Sequence, residues 1–246
     1  MLFTILALFP DTVSCFFQES IVKRAIDSGV VSINLINIRD YTKDKHGKVD
    51  DYPFGGGRGM VLAPDPIFRA FESIRNRGYT IALSPMGCKL NQEKVRELSI
   101  LDSLTILCGH YEGIDHRVVE SLVDEEISIG DFVLTGGEPA ACVIVDCITR
   151  ELEGVLGDDL SKCEESFDRS GLLEYEQYTR PAEYRGMSVP EVLLSGNHER
   201  IRKWRMKRRL LNTLEKRPDL INRSRLSGEY RELLHEIEKE KSDESS

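Results

Sequence analysis

The chain has 246 residues, of which 40% are hydrophobic and 30% are charged, and its formal net charge is −9. This composition is sufficient to bury a core and excludes an intrinsically disordered chain. The apolar run at the start, Leu2 to Phe9, is broken by Pro10 and has no basic flank before it. We therefore expect neither a transmembrane helix nor a signal peptide.

The six cysteines occur singly along the chain. None belongs to a C-x-x-C pair, and none has the paired His/Cys spacing of a structural zinc site. We therefore expect a reduced, cytoplasmic protein with neither a disulfide framework nor a structural zinc site.

Apolar segments of strand and helix character alternate along the first 157 residues. The pattern predicts strands over 2–8, 31–37, 80–84 and 104–108, and short extended segments within 126–134. Helices are predicted over 11–28, with Asp11 as the cap, and over 64–75, 92–101, 115–122 and 139–152. This alternation is typical of an α/β fold with a mostly parallel sheet.

The remainder of the chain differs in composition. Residues 158–186 are polar and weakly periodic, which predicts a flexible interdomain linker or loop. Residues 187–246 predict a small helical domain, with helices over 189–194, 196–214 and 227–241 and an acidic tail. Twelve Lys/Arg and four Asp/Glu lie between His198 and Arg231. This basic segment predicts a local contact with a polyanion, and a solvated charged helical face is the alternative.

Three glycine-bearing loops follow predicted strands, at 84–87, 108–113 and 129–137. In open α/β sheets, ligands bind beyond the carboxyl ends of the strands. The loops therefore predict a nucleotide-like pocket, and ordinary turn chemistry is the alternative. A further run, Gly55 to Gly59, lacks both the dinucleotide and the phosphate-loop spacing. Either it brings backbone close to a ligand or it is a tight structural loop.

Isolated histidines and one tryptophan carry weaker signals. His46, His110 and His198 each lie among polar residues, where histidine is usually a hydrogen-bonded surface residue. Trp204 lies among arginines. It either stacks on a nucleic-acid base or packs with Ile201 and Leu211.

Five ordered motifs resemble those of the bacterial tRNA (guanine-N1)-methyltransferases, which methylate the guanine at position 37. They are DDYPFGGG at 50–57, GHYEG at 109–113, SIGDFVLTGGE at 128–138, YTRP at 178–181 and LLSGNH at 193–198. The resemblance extends from Phe9 to Leu220. It implies a SPOUT-type α/β fold, in which the parallel sheet contains a deep trefoil knot and is followed by a small C-terminal helical domain.

The same resemblance implies the ligands and partners. S-adenosyl-L-methionine would bind in the knotted domain, residues 1–157, and tRNA would bind the helical domain. The active site would lie at the subunit interface of a homodimer. The family also implies Mg²⁺, although no group of residues in this sequence is typical of a dedicated metal site.

The resemblance assigns roles to individual residues. A carboxylate near guanine N1 removes its proton, and a cation near O6 stabilises the developing charge. These roles fall on Glu165 and Arg150, with Glu112 beside the guanine or the cofactor. Glu164 and Asp168 are rival candidates for the base. The residues expected around the cofactor are Ser84, Pro85, Gly109, Tyr111, Ile129, Gly130, Asp131, Phe132, Val133, Leu134, Gly136 and Gly137.

The sequence departs from the family pattern at three places. Glu165 stands where the family has Asp, Glu138-Pro139-Ala140 replaces Glu-Leu-Pro, and Arg58 replaces a common Pro. A non-catalytic tRNA-binding relative, disabled at Glu165, is therefore a second hypothesis. A Rossmann-type nucleotide enzyme is a third, but it lacks its fingerprint here and leaves the basic segment unexplained. We also expect the linker to become ordered only when tRNA binds.

Overall fold

The computed structural model describes residues 1–157 and 165–244. The chain divides into two compact units, Met1–Gly157 and Asp158–Ser246. Across the described ranges, no helix combines the length and the apolar character needed to cross a membrane.

The first unit is built on a five-stranded parallel sheet. The strands of this unit are β1 (Leu2–Ala7), β2 (Ser32–Asn37), β3 (Asp50–Asp51), β4 (Val61–Leu62), β5 (Tyr79–Lys89), β6 (Ser103–Cys108) and β7 (Glu125–Ser128). The main sheet has the order β2-β1-β6-β5-β7, and β3 and β4 form a separate antiparallel pair. The α/β fold with a parallel sheet is therefore confirmed.

Helices cover both faces of the sheet. They are α1 (Pro10–Phe16), α2 (Ser20–Asp27), α3 (Pro64–Glu72), α4 (Gln92–Ser99), α5 (His116–Leu122) and α6 (Glu138–Glu151). Alternate residues of β1 point to opposite faces, so Phe3 and Ile5 join the core under α1, α2, α4 and α6, whereas Leu6 joins the core under α3 and α5. Burial on both faces explains the continuous apolar sequence of this strand.

The single helix predicted over 11–28 is wrong, because two helices, α1 and α2, occupy this segment. Phe9, not Asp11, holds the N-cap position of α1, and no side chain caps it. Pro10 opens the helix, where its missing N–H costs nothing. Both helices face the same core, so the apolar spacing continues across the break and does not reveal it. Ser20, the first residue of α2, has a φ of 62°, which a continuous helix cannot contain.

Strand β5 is longer than the predicted 80–84 because it contains an irregularity. Leu83 and Cys88 both align with Ile127 of β7, so residues 84–87 loop out of the sheet. A Cβ atom on Gly87 would lie 2.4 Å from the backbone of Glu126, so a residue without a side chain is needed there.

The second unit is built mainly from helices. It contains α7 (Glu191–Leu194), α8 (His198–Lys216) and α9 (Gly228–Glu244), and a short hairpin of β8 (Glu183–Tyr184) and β9 (Met187–Ser188). Its core contains Leu172, Leu210, Leu226, Leu234 and Ile237. Leu172 is fully buried. The part of the predicted linker around this residue is thus packed into the helical core, which its polar sequence pattern did not indicate.

Candidate active site

Two of the glycine-bearing loops, those after β6 and β7, meet at one edge of the sheet, and the third, 84–87, loops out of β5 where β6 ends. Strands β6, β5 and β7 are parallel neighbours, so the chain leaves all three at the same edge. The loop after β7 passes the end of β5 and reaches the loop after β6. There the Gly137 N–H donates to the Gly109 carbonyl at 2.8 Å, and His110 and Gly136 form an antiparallel bridge.

Two glycines allow this close approach. A Cβ atom on Gly137 would lie 2.8 Å from Cys108 Cα and 3.0 Å from the Gly109 nitrogen. A Cβ atom on Gly136 would lie 2.4 Å from His110 Nδ1. Gly109 is different, because a Cβ there would come no closer to the protein than 3.4 Å, the distance to the Leu83 carbonyl oxygen. Packing within the protein therefore explains Gly136 and Gly137 but not Gly109.

A buried carboxylate, that of Glu138, lies beside these loops. Glu138 begins α6, its side chain is 5% exposed, and its Oε1 accepts a hydrogen bond from the Phe9 N–H at 3.3 Å. Its Oε2 lies 3.9 Å from Nδ1 of His110. Burial, and secondarily Glu138, raises the pKa of the Cys108 thiol well above its ordinary value.

The Glu138-Pro139-Ala140 departure leaves this arrangement intact. Helix α6 starts at Glu138, and Pro139 occupies its first turn. A proline is tolerated there because the first N–H groups of a helix have no partner within the helix. The substitution is therefore compatible with a helix that starts at the motif.

The Gly55–Gly59 run leads into a segment that lies along the loop after β6. The Glu112 N–H donates to the Met60 carbonyl, and the Leu62 N–H donates to the Gly113 carbonyl, both at 2.9 Å. A Cβ atom on Gly59 would lie 2.4 Å from Glu112 Cγ. The run thus borders Glu112. Close packing against that side chain is a structural reason for glycine at its last position.

The loop after β7 presents apolar side chains and backbone groups. The Ser128 hydroxyl donates to the Gly130 carbonyl at 3.0 Å, and the Phe132 N–H bonds the same carbonyl. Val133 is 85% exposed. Among the hydrogen bonds of residues 1–157 and 165–244, none uses the backbone N–H of Val133 or Leu134. This loop can therefore offer both an apolar surface and main-chain donors to a ligand.

The two residues expected to act on guanine belong to different units. Arg150 lies half-buried in the last turn of α6. Glu165 is half-buried in the second unit, and its backbone carbonyl accepts a hydrogen bond from Arg209 Nη2 at 3.3 Å. Asp168, a rival candidate for the base, has its Oδ2 2.8 Å from the same Nη2 in a pair that is at most 10% exposed. That carboxylate is therefore structural. The other rival, Glu164, lies outside the described residues.

Many cations of the basic segment are paired within the protein. At least seven of its twelve lie within 4 Å of a carboxylate: Arg202, Lys203, Lys207, Arg208, Arg209, Arg217 and Arg223. Three of the partners, Glu229, Glu238 and Glu240, belong to α9. A polyanion must compete with these carboxylates, so the charge count of the sequence overstates the positive surface.

Trp204 lies within an aromatic cluster of the second unit. Its ring is 6.4 Å from that of Tyr175 and 6.5 Å from that of Tyr178. The guanidinium of Arg205 lies 4.7 Å from the centre of the Tyr175 ring. Trp204 thus has tyrosine neighbours from the preceding segment, which the spacing along its own helix did not predict.

An ion pair in this unit predicts a dependence of stability on pH. The Arg208 guanidinium, hydrogen-bonded to Glu176, lowers the pKa of that carboxyl to about 2 from its ordinary 4.5. Because the pKa is lower in the folded state, the pair stabilises the protein above about pH 4.5, and this contribution is lost as the pH falls towards 2. We expect Glu176→Gln to be less stable than the wild type at pH 6, with a difference that shrinks below pH 4.5.

Urea unfolding followed by fluorescence tests this expectation. The chain has one tryptophan, Trp204, so the signal reports the second unit. A difference in unfolding free energy between the two proteins that stays constant from pH 6 to pH 3 would contradict the prediction.

Comparison with known proteins identifies the family. Residues 1–223 match the model of the family described as tRNA (Guanine-1)-methyltransferase TrmD. Among curated relatives, the tRNA (guanine-N(1)-)-methyltransferase of a Sulfurihydrogenibium species is 54% identical over 236 residues, which are 95% of this chain and 92% of that protein. The Caldanaerobacter subterraneus protein of the same name is 52% identical over 96% of this chain and 98% of its own length. The chain therefore belongs to the tRNA (guanine-1)-methyltransferase family.

Proposed function

We propose that this protein transfers the methyl group of S-adenosyl-L-methionine to N1 of guanine 37 in tRNA. The observation that carries the proposal is the meeting of the loops after β6 and β7 at one edge of the sheet, beside the 84–87 irregularity of β5. Ligands bind at such edges in α/β proteins. Family membership supports the reaction class, and we assign the cofactor to these loops.

The residues at this edge fit S-adenosyl-L-methionine. The main chain of 129–134 and the exposed Val133 suit a flat adenine with polar edges, because such a ring needs both donors and apolar contact. Gly109, where the protein itself leaves room for a side chain, permits close approach by a ligand. Ser84, Pro85, Tyr111, Gly136 and Gly137 lie in or beside the same loops, and we assign them to the walls of this site.

We further propose that this part of the chain forms the family's trefoil knot. The chain leaves β7 at the edge of the sheet, returns past the end of β5, and bonds to the loop after β6 before it enters α6. A trefoil knot requires one segment of the chain to pass through a loop formed by another, and a connection that returns across the sheet edge in this way is compatible with that path. Knots are rare in proteins, so family membership is essential to this proposal.

A homodimer with the active site at the subunit interface is also part of the proposal. Large apolar side chains are exposed on and near the site loops, among them Phe54 at 100%, Met86 at 83% and Tyr52 at 78%. Exposed apolar groups of this kind often mark interaction surfaces. Because the substrate is tRNA, we place this activity in the cytoplasm.

The chemistry assigns one task to each residue. The cofactor supplies a methyl group bound to a positively charged sulfur, which makes that methyl an electrophile. Glu165 takes the proton from guanine N1 as the N1–methyl bond forms and the methyl–sulfur bond breaks. Arg150 stabilises the negative charge that develops towards O6. Glu112 orients the guanine, and α8 with its neighbours binds the phosphates of tRNA.

Magnesium receives no step in this mechanism. Among the residues that the structure describes, no group of three or more His, Cys, Asp or Glu side chains is arranged to hold a metal ion. We therefore assign none of the described side chains to Mg²⁺, and the ion stays an implication of the family.

Transfer of a labelled methyl group tests the proposal. The protein is incubated with labelled S-adenosyl-L-methionine and a tRNA transcript that carries guanine at position 37, beside a matched transcript with adenine there. We expect label in the first transcript alone. Label in both would contradict the assigned position. Tight binding of tRNA with no transfer would favour the non-catalytic relative, which the Glu165 departure raises as the alternative.

A further inference from the structure

A buried arginine organises the segment that carries Glu165. Arg209 of α8 is 4% exposed, and its guanidinium reaches four acceptors. Nη2 bonds the Asp168 carboxylate at 2.8 Å and the Glu165 carbonyl at 3.3 Å. Nε donates to the Leu173 carbonyl at 3.1 Å, and Nη1 donates to the Tyr230 hydroxyl at 3.2 Å. One side chain thus fixes both ends of the segment 165–173.

The segment is also closed on itself. The Phe167 N–H donates to the Leu172 carbonyl at 2.9 Å, and the Glu174 N–H donates to the Ser166 hydroxyl at 2.9 Å. Asp168 accepts from the Ser170 N–H at 2.9 Å with Oδ1, so both of its oxygens are engaged. Phe167 has a φ of 65°, a conformation that non-glycine residues adopt only when the surrounding contacts impose it. The loop therefore has a specified shape, with Glu165 at its first position.

We propose that Asp168 and Arg209 form a positioning pair that sets the direction of the Glu165 side chain for proton removal. This inference rests on the proposed function, since it takes Glu165 as the base. Arg209 touches the backbone of Glu165 and not the reacting atoms, so it acts through Glu165. A lysine at this position keeps the charge opposite Asp168, but its single ammonium cannot reach the same set of acceptors.

Arg209→Lys tests the pair without leaving a buried carboxylate unpaired. We expect the single-turnover rate of methyl transfer, at saturating tRNA and cofactor, to fall about 10- to 100-fold, as misplacement of a reacting group predicts. The dissociation constants for tRNA and S-adenosyl-L-methionine should stay within about twofold, because the pair acts on the chemical step. Asp168→Asn should have the same effect on the rate. Trp204 fluorescence during unfolding verifies that the second unit of each variant is folded.

Glu176→Gln is the matched control, since Glu176 lies after the segment 165–173 and joins the chain there to α8 through Arg208. It removes an anchor remote from Glu165, and we expect its single-turnover rate to stay within about twofold of the wild type. If Glu176→Gln slows transfer as much as Arg209→Lys does, general anchoring explains the effect and the positioning role is overturned. A tRNA dissociation constant that rises in parallel with the loss of rate would also overturn it.

A double-mutant cycle separates this inference from the proposed function. If Arg209 acts only through Glu165, Glu165→Gln combined with Arg209→Lys will be no slower than Glu165→Gln alone. A further loss in the double variant would show an independent role and overturn the pair. If Glu165→Gln is slow while Arg209→Lys transfers normally, the positioning pair fails and the base stands. If Glu165→Gln transfers normally, the base assignment fails, and the positioning pair fails with it.

Discussion

Glu165→Gln is expected to lower the single-turnover rate of methyl transfer by about 10²- to 10⁴-fold, the usual contribution of a general base. Guanine N1 carries a proton and is a poor nucleophile until that proton is removed. Glutamine keeps the size and the hydrogen-bonding shape of glutamate, but its neutral amide is not a useful proton acceptor. Affinity for tRNA should change little, because the variant removes one step and not a phosphate contact.

Rapid mixing of excess enzyme with labelled cofactor and the guanine-37 transcript gives this rate directly. Glu165→Asp is the matched comparison, because the family has Asp at this position, and it should transfer within about tenfold of the wild type. A wild-type rate for Glu165→Gln would contradict the assignment. Since Asp168 is bonded to Arg209 in the structure, Glu164 would then be the next carboxylate to test.

The sequence predicted the sheet well because the strands carry unambiguous patterns. Strands β1 and β6 are buried on both faces, and their runs of Leu, Ile and Thr leave little alternative. The break between α1 and α2 was missed because Val13, Phe17 and Val22 all join one core, so the helical spacing spans the break. Periodicity reports which residues face a core and does not report where the backbone turns between them.

The sequence indicated which loops form the candidate site, but it did not indicate the hydrogen bonds between those loops. The glycine-bearing loops predicted a pocket, which stays a prediction, and no spacing indicated that the loop after β7 bonds to Gly109 and bridges to His110. The role of Arg209 was hidden for a similar reason. Within α8 it is one cation among many, and tertiary contacts, among them the packing of Leu172, bring the segment with Glu165 and Asp168 to it. Long-range pairing of this kind depends on tertiary structure, which local patterns do not contain.

Gly137→Ala is expected to weaken the binding of S-adenosyl-L-methionine at least tenfold and to reduce methyl transfer about 100-fold. The new methyl group would lie 2.8 Å from Cys108 Cα and 3.0 Å from the Gly109 nitrogen, both of which are backbone atoms that no rotamer change can move. The end of β6 and the start of α6 must therefore separate, which breaks the geometry of the 2.8 Å bond between Gly137 and Gly109. Overpacking of this kind should cost about 1–3 kcal/mol of unfolding free energy.

Gly109→Ala separates the packing requirement from the approach of the ligand. The nearest protein atom would lie 3.4 Å from the new methyl carbon, which is an ordinary van der Waals distance. The unfolding free energy should therefore stay close to that of the wild type. If the cofactor lies against this backbone, its affinity will nevertheless fall, because the methyl group occupies the space that the ligand needs. Calorimetric titration with the cofactor and urea unfolding measure the two effects. Weak binding with unchanged stability in Gly109→Ala, beside weak binding with reduced stability in Gly137→Ala, would place the ligand at the junction of these loops. Wild-type affinity for the cofactor in both variants would contradict a binding site at this junction.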